Sequence, residues 1–458
     1  MSRWVVGLVA AVCLGGCHRQ AKPEPRPELV APQTAPEATA ARSPEPSRPS
    51  PGLRRPATSK ERAAIEKLAR AAESVRQLRF QHPITIEIED GIAIASSLHD
   101  QIEDEEIERA RLLYGALGLI DPDADLRALF SEVLGEQVIG YYDPKETRLV
   151  IRDDVMDGLL GARGPEETEE ARLVLVHELV HALQDQRLGL GESYDQTRTA
   201  DAENAFRAVI EGDATLAMLA NALRAQGIPL SAATPGIQQM GSYIDVDAFI
   251  SGEKLDEAPA ILRVTLVAPY LRGLQFIATV HSSGGWPSVN RVHRKPPTTT
   301  EQVLHPEKFA EAERGELFEV SEIRAIKQTG YQRIAEDTLG ELELSVYLGQ
   351  GSPTGTNEAA AKGWGGDHLV VYRRADATAV VWWTAWDSEA DAMEAYRAAR
   401  RVAPRNSSSL VEHRGHAVLI VRDLPPRLHR AVRRAFATFA RNLNGKPPPR
   451  GGTRDSVH

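Results

Sequence analysis

The segment from Leu173 to Leu183 constrains the fold of this chain most strongly. Its apolar residues surround a predicted helix on most sides, and only His177, Glu178 and His181 interrupt them. A helix that is apolar all round is buried, and a buried ionisable side chain is costly unless another group satisfies it. The segment therefore predicts a central buried helix over residues 164–187, with a polar cluster built around these three residues.

The spacing of these residues indicates a metal site. Histidines four residues apart lie on one face of a helix, so the imidazoles of His177 and His181 can bind one ion. Zn²⁺ lowers the pKa of a water molecule to near 7, and Glu178 is placed to accept the proton of that water. The pattern is typical of a zinc hydrolase. The alternative is a surface helix that contains the same letters by chance.

A catalytic zinc site needs a third protein ligand. The chain has only two cysteines, Cys13 and Cys17, so the folded part must supply a histidine or a carboxylate. A helix predicted over residues 201–225 carries Glu211 directly after an apolar stretch and before a glycine. We expect Glu211 to be the third ligand, with Glu203 as the alternative.

The N-terminus predicts export and lipidation. Arg3 precedes an apolar run, Trp4 to Leu14, which is too short for a membrane span and suits a signal sequence. The run ends at Leu14 to Cys17, which resembles the lipobox of bacterial lipoproteins, in which the cysteine is acylated. We expect Cys17 to anchor the chain outside the cytoplasm, in the outer membrane if the cell has one. The alternatives are an ordinary signal peptide and a buried start to the fold.

The rest of the chain divides by composition. Residues 18–58 are rich in proline and predict a disordered tether with a reach of about 100 Å. Residues 59–315 predict a mostly helical unit with a small sheet, residues 316–445 a smaller α+β unit, and residues 446–458 a disordered tail. The predicted fold class is therefore α+β. The net charge of −10 and the scarcity of basic runs argue against nucleic acid as a partner.

Four segments resemble known proteins. Residues 177–181, together with the segment 209–214 around Glu211, look like the gluzincins, zinc peptidases of the thermolysin and aminopeptidase type. Residues 177–186, 296–306 and 363–367 are similar to a group of bacterial lipoproteins classed as metallopeptidases. The resemblance implies a zincin-like fold, a zinc ion bound by two histidines and a glutamate, and peptide hydrolysis. The gap between His181 and Glu211 is longer than in thermolysin, and the Asn-Glu pair of thermolysin is missing.

Other residues are expected to support the reaction. Asp213 or Asp185 could hydrogen-bond a ligating imidazole, or be ordinary surface acids. Tyr270, His293 and His305 are candidates for stabilising the oxyanion. Among these three we expect His305, because it lies in a segment that carries the resemblance; a capping or core histidine is the alternative.

A further expectation concerns the substrate. A predicted hairpin, residues 137–152, precedes the metal helix, and in zincins such a strand edge lies beside the extended substrate. We therefore expect a zinc-dependent endopeptidase that acts on polypeptides. The alternatives are an envelope binding or assembly module without activity and a zinc hydrolase of a non-protein cell-wall bond. The oligomeric state is not predicted.

Overall fold

The computed structural model shows a mixed α+β fold, as predicted. It describes residues 52–444, except 102–103, 191–198, 241–252, 314, 316–317 and 321. The expected signal sequence, Cys17, the tether up to residue 51 and the tail lie outside the described residues.

The helices and strands follow the chain in this order. The helices are α1 (Ser59–Arg76), α2 (Gly91–Gln101), α3 (Asp104–Leu117), α4 (Leu126–Gln137), α5 (Asp153–Leu159), α6 (Pro165–Leu188), α7 (Ala200–Ala225), α8 (Leu230–Met240), α9 (Glu253–Glu257), α10 (Ala260–Arg294), α11 (Thr300–Leu304), α12 (Pro306–Ala310), α13 (Arg324–Lys327), α14 (Gly340–Leu348), α15 (Glu358–Ala361), α16 (Glu389–Val402) and α17 (Pro426–Asn444). The strands are β1 (Arg54–Pro56), β2 (Thr85–Glu89), β3 (Gly140–Asp143), β4 (Arg148–Arg152), β5 (Gln332–Asp337), β6 (Trp364–Arg374), β7 (Ala377–Trp386), β8 (Leu410–Arg414) and β9 (Ala417–Arg422).

The first sheet has the strand order β1-β2-β4-β3, so β1 and β3 are its outer strands. β2 runs parallel to β4, and the other neighbours are antiparallel. The predicted end of the tether at residue 58 is wrong, because β1 pairs with β2 and Thr58 already caps α1. The Thr58 hydroxyl accepts a hydrogen bond from the Glu61 N–H, and the Glu61 carboxylate accepts one from the Thr58 N–H. This reciprocal pair fixes the start of α1.

Four long helices, α1, α6, α7 and α10, share one hydrophobic core with this sheet. The backbones of α7 and α10 touch where they cross. A Cβ on Gly212 would lie 2.2 Å from the carbonyl carbon of Gly273, and a Cβ on Gly273 would lie 2.1 Å from the carbonyl oxygen of Ala208. Glycine is therefore required at both positions. The crossing lies one residue from Glu211 and three from Tyr270, so it sets the distance between those two side chains.

Helix α10 has the length and apolar composition of a membrane span, but 78% of its most apolar window is buried inside the protein. Such burial is common for a helix in a protein core. Its backbone leaves the helical region at Gly284 and Gly285.

The second sheet has the order β5-β6-β7-β9-β8, with every pair antiparallel. Helices α14 and α16 pack on one face and α17 packs on the other. The sequence predicted a small α+β unit in this region, but its outer strands, β5 and β8, have no clear signal in the sequence. Most residues of these two strands are only half-buried, so their sequences lack the apolar alternation that reveals a strand.

Helix α2 is described up to Gln101 and helix α3 from Asp104. The described part of α3 starts with three acids, Asp104 to Glu106.

The predicted boundary between residues 315 and 316 does not separate two packing units. Leu113 and Leu117 of α3 lie in the same hydrophobic cluster as Trp364 and Trp382 of the second sheet. The apolar side chains of α14 in turn join a cluster with those of α10. The two halves therefore share their cores.

Buried carboxylates tie the halves together at the start of α14. The Asp201 Oδ1 atom, at the start of α7, accepts hydrogen bonds from the Thr300 N–H (2.7 Å) and hydroxyl (2.5 Å). Asp367 accepts four, from two backbone N–H groups at the start of α14 and from two tryptophan indoles. Residues 296–306 and 363–367, which carry part of the resemblance, thus belong to this junction.

Candidate metal centre

Helix α6 places the two histidines in the core. Its sequence starts with Pro165 at the first helical position and acids in the first turn, and it ends at Gly189 with a left-handed backbone conformation. Every residue from Val174 to Gln184 is buried. The Nε2 atoms of His177 and His181 lie 2.9 Å apart, so both imidazoles face the same point.

A carboxylate from α7 converges on this point. The Glu211 Oε2 atom lies 3.1 Å from Nε2 of His177 and 3.3 Å from Nε2 of His181. Tetrahedral ligands placed 2.0–2.1 Å from a zinc ion are about 3.3 Å from one another. The three atoms are therefore spaced as zinc ligands would be, and two imidazoles with one carboxylate are a donor set that catalytic zinc uses. The residues present fit the ion that the sequence predicts.

Glu203, the alternative ligand, does not reach this point. It precedes Glu211 by eight residues, which is about 12 Å along a helix. Its charge acts instead on Tyr114 and Asp337, whose pKa values are raised mainly by burial and further by nearby acids.

The three converging groups differ in charge. Burial opposes ionisation of each, but the neighbouring His181 holds the pKa of Glu211 at about 2, and Glu211 raises the pKa of His181 to about 9. Burial lowers the pKa of His177. The cluster thus holds a carboxylate and an exchangeable proton, which a divalent cation would displace on binding.

Glu178 lies beside the cluster and is fully buried. One of its carboxylate oxygens lies within 4.8 Å of nitrogens of both histidines. Its Oε2 atom accepts a hydrogen bond of 2.8 Å from the Tyr142 N–H, whereas its Oε1 atom has no partner in the described part of the chain. Burial raises the pKa of Glu178 to about 8. One oxygen is thus held and the other is available.

The predicted hairpin lies next to the metal helix. Strand β3 packs against α6, and as the outer strand of its sheet it pairs only with β4. The Tyr142 N–H points to Glu178 rather than to β4, and the Tyr142 hydroxyl donates to Asp185 at 2.8 Å. Asp185 therefore holds the strand and contacts no imidazole within the described part of the chain, although it was one of two candidates for that role.

Gln184 orients the second histidine. Its Nε2 atom donates to the Ile210 carbonyl and to Asp213 Oδ2, both at 3.0 Å. Because the amide N–H groups face these two acceptors, the amide oxygen faces Nδ1 of His181 at 3.0 Å and must accept from it. Once an ion has displaced the proton of Nε2, His181 would therefore keep its proton on Nδ1 and offer the lone pair of Nε2 to the ion. The sequence analysis missed Gln184, although it lies three residues after His181, on the same helix face.

Asp213 accepts a hydrogen bond from the Gln184 amide and so holds Gln184 in place. It accepts two hydrogen bonds from the fully buried Arg76, at 2.6 and 3.1 Å, and its Oδ2 atom lies 2.7 Å from Nε2 of His293. Burial disfavours its charge, but Arg76 and His293 hold the pKa of Asp213 well below its usual range. The expected link from Asp213 to a ligating imidazole thus exists, but it passes through Gln184.

Of the three oxyanion candidates, only Tyr270 reaches the centre. Its ring stacks on that of His177, with centroids 6.0 Å apart, and its hydroxyl is buried beside the Glu211 carboxylate, so that burial and the Glu211 charge both raise the pKa of Tyr270. His293 is bound to Asp213, and Nε2 of His305 lies 2.9 Å from Glu341 at the junction of the two halves. The expectation for His305 has no support in this arrangement, because the tertiary fold places segment 296–306 elsewhere.

Comparisons with known proteins cover only the second half of the chain. The sequence model of a domain of unknown function (DUF8575) matches residues 327–435, from just before β5 to the middle of α17. No curated protein matches the chain significantly. No solved structure does either.

We expect Glu211→Gln to abolish tight zinc binding, because it removes the charged ligand while keeping the size of the side chain. The loss should exceed the roughly 10–100-fold that removal of an outer partner costs. Glu203→Gln, on the same helix, is the control and should bind zinc as the unchanged protein does. Competition with a chromophoric chelator measures both. Loss of zinc in the Glu203 variant alone would exchange the two assignments.

We expect Gln184→Leu to weaken zinc binding by about 10–100-fold, because the proton on Nδ1 of His181 loses its acceptor. In the zinc-bound protein, the ¹⁵N chemical shift of Nδ1 of the His181 imidazole should then change, because its proton no longer has an acceptor. An unchanged shift in the variant would contradict this role for Gln184. Thermal unfolding of both proteins controls for the cost of the lost hydrogen bonds.

Proposed function

We propose that this chain is a zinc-dependent peptidase of the zincin, thermolysin-like type, held outside the cytoplasm by a lipid on Cys17. The observation that supports it most is the convergence of His177, His181 and Glu211, with ligand atoms 2.9–3.3 Å apart, next to a buried glutamate with one free oxygen. This combination is costly in a protein core and fits the needs of metal-assisted hydrolysis.

A bound Zn²⁺ ion supplies a Lewis acid that makes a neighbouring water molecule acidic near pH 7. Glu178 then takes the water proton on its free Oε1 atom, while the Tyr142 N–H holds Oε2 and fixes the direction of the carboxylate. As the peptide bond breaks, the protonated Glu178 gives this proton to the leaving amine. Glu178 thus acts first as a base and then as an acid.

Tyr270 is proposed to stabilise the oxyanion in place of His305. Its hydroxyl is buried beside Glu211, and its ring stacks on His177. A donor that already lies at the metal ligands costs little to reorganise during the reaction.

The outer edge of β3 favours a polypeptide substrate over the non-protein cell-wall bond. An extended peptide can add to an outer strand through main-chain hydrogen bonds, and Tyr142 of that strand touches the proposed base directly. A strand paired there would run past Glu178. The buried position of Glu178 also argues against a binding module without activity, since such a module has no use for an unpaired buried carboxylate.

We expect the zinc-loaded protein to cleave unfolded casein and a chelator to stop this cleavage. Glu178→Gln should lower the rate by about 10²–10⁴-fold, the usual contribution of a general base, while zinc stays bound. Glu170→Gln, an exposed residue on the same helix, is the matched control and should keep full activity. The measurement is release of labelled peptides from casein over time.

Equal cleavage by the Glu178 and Glu170 variants would disprove the proposed chemistry. Zinc binding without any cleavage of casein or of shorter peptides would favour the binding module or the cell-wall bond instead.

For the anchor, we expect Cys17→Ser to move the protein from the membrane fraction to the soluble fraction of expressing bacteria and to end incorporation of labelled palmitate. Cys13→Ser is the control, because Cys13 would leave with the signal sequence and its loss should change neither result. Palmitate in the Cys17 variant would refute acylation at that residue.

A further inference from the structure

Helix α17 carries a stripe of arginines along its outer face. Its inner face is buried against the second sheet through Leu428, Val432, Phe436 and Ala440. Four exposed arginines lie on the opposite side: Arg427, Arg430, Arg434 and Arg441. At about 100° per residue, these four fall within a sector of about 60°. The stripe is therefore a narrow positive ridge about 21 Å long.

The stripe has no acidic partners within the part of the chain that the structure describes. Arg441 donates only to Ala437 and Thr438 of its own helix, whereas the adjacent Arg433, outside the stripe, pairs with Glu412. Helix α17 itself contains five arginines, no lysine and no acid, in a chain of net charge −10. The positive charge is thus concentrated on this helix.

The placement of these arginines works against the helix. The first turn of α17 contains no acid and contains Arg427, although the helix dipole disfavours a positive charge there. Arg427 and Arg430 are three residues apart, and Arg430 and Arg434 are four apart, so the two arginines within each pair repel each other. Arg441, in the last turn, suits the dipole, but the helix itself gives no reason for the positions of the other three arginines. A ligand outside the protein would give one.

We propose that the arginine stripe of α17 docks on the anionic headgroups of a phospholipid bilayer. Guanidinium groups bind phosphate oxygens in pairs, and the length of the stripe covers several headgroups. Because the apolar face of α17 is already buried in the protein, the helix lies on the bilayer surface without inserting, and binding is electrostatic. The choice of a membrane over another polyanion rests on the proposed lipid anchor, which keeps the chain beside a bilayer.

The docking also orients the proposed enzyme. A lipid on a long tether leaves the body of the protein free to rotate, whereas a second contact through α17 fixes which side faces the membrane. Two attachments on one chain raise the effective concentration of the second contact, so a weak electrostatic contact suffices.

The test uses the full chain carrying Cys17→Ser, so that no acyl group contributes. We expect it to sediment with vesicles of phosphatidylcholine and phosphatidylglycerol at low salt, but not at high salt and not with phosphatidylcholine alone. Changing Arg427, Arg430 and Arg434 to Glu should weaken this binding by about 100-fold or more. The control changes three exposed basic residues of α1, Lys60, Lys67 and Arg70, to Glu; it alters the net charge equally and should bind as before.

Loss of folding would not explain weaker binding by the α17 variant. Acids at the start of α17 suit the helix dipole, so this variant should unfold at the same temperature as the unchanged protein or at a higher one. Equal loss of binding in the α1 control would overturn the proposal, since general charge would then explain it. Binding to duplex DNA that depends on the stripe, with no binding to anionic vesicles, would overturn it in favour of a nucleic acid. Vesicle binding is measured without a substrate, so the result does not depend on whether the protein cleaves casein. Failure of the proposed peptidase activity and failure of the docking proposal can therefore be told apart.

Discussion

The buried carboxylate of Asp213 is the interaction on which the arrangement of the candidate centre depends. It joins Arg76 from α1, Gln184 from α6 and His293 from α10 to α7. A buried charge of this kind is tolerated only when its partners are complete, and removing one typically costs about 3–5 kcal/mol. The four helices must therefore assemble together, and the geometry of the metal ligands follows from that assembly.

This arrangement explains how side chains from separate helices meet at one point. His177 and His181 share one helix, and their relative position is given by helix geometry alone. Glu211 belongs to α7. The position of α7 relative to α10 is fixed where Gly212 contacts Gly273. Supporting groups are thus as important to the site as the ligands, since a misplaced ligand loses most of its affinity.

The sequence predicted much of this site because the decisive signals are local. The spacing of His177, Glu178 and His181 is set within one helical turn, and Glu211 stood out from the apolar residues around it. Gln184 and Tyr270 carry no local signal of function, because each acquires its role only when α6, α7 and α10 pack together. His305 shows the opposite error: its sequence context resembled a known family, but its side chain contacts Glu341 at the junction.

The same distinction applies to the fold. Long amphipathic helices and the apolar central strands of the second sheet were visible in the sequence, whereas β5 and β8 were not, because outer strands bury few residues. The start of the fold at β1 was missed because three residues, Arg54–Pro56, form a strand only by pairing with β2. The arginine stripe of α17 was missed for a related reason. Its arginines are separated by three to seven residues in the sequence, and only the helix brings them onto one face.

The position of α3 has a consequence for how this protein can be divided. The stretch matched by the domain of unknown function begins at residue 327, yet Leu113 and Leu117, more than two hundred residues earlier, complete its hydrophobic core. A gene fragment that starts at residue 327 would keep α14 and α16 on this face of the sheet but would leave the place of Leu113 and Leu117 open. In this chain, the matched stretch therefore completes its core with a helix from the first half.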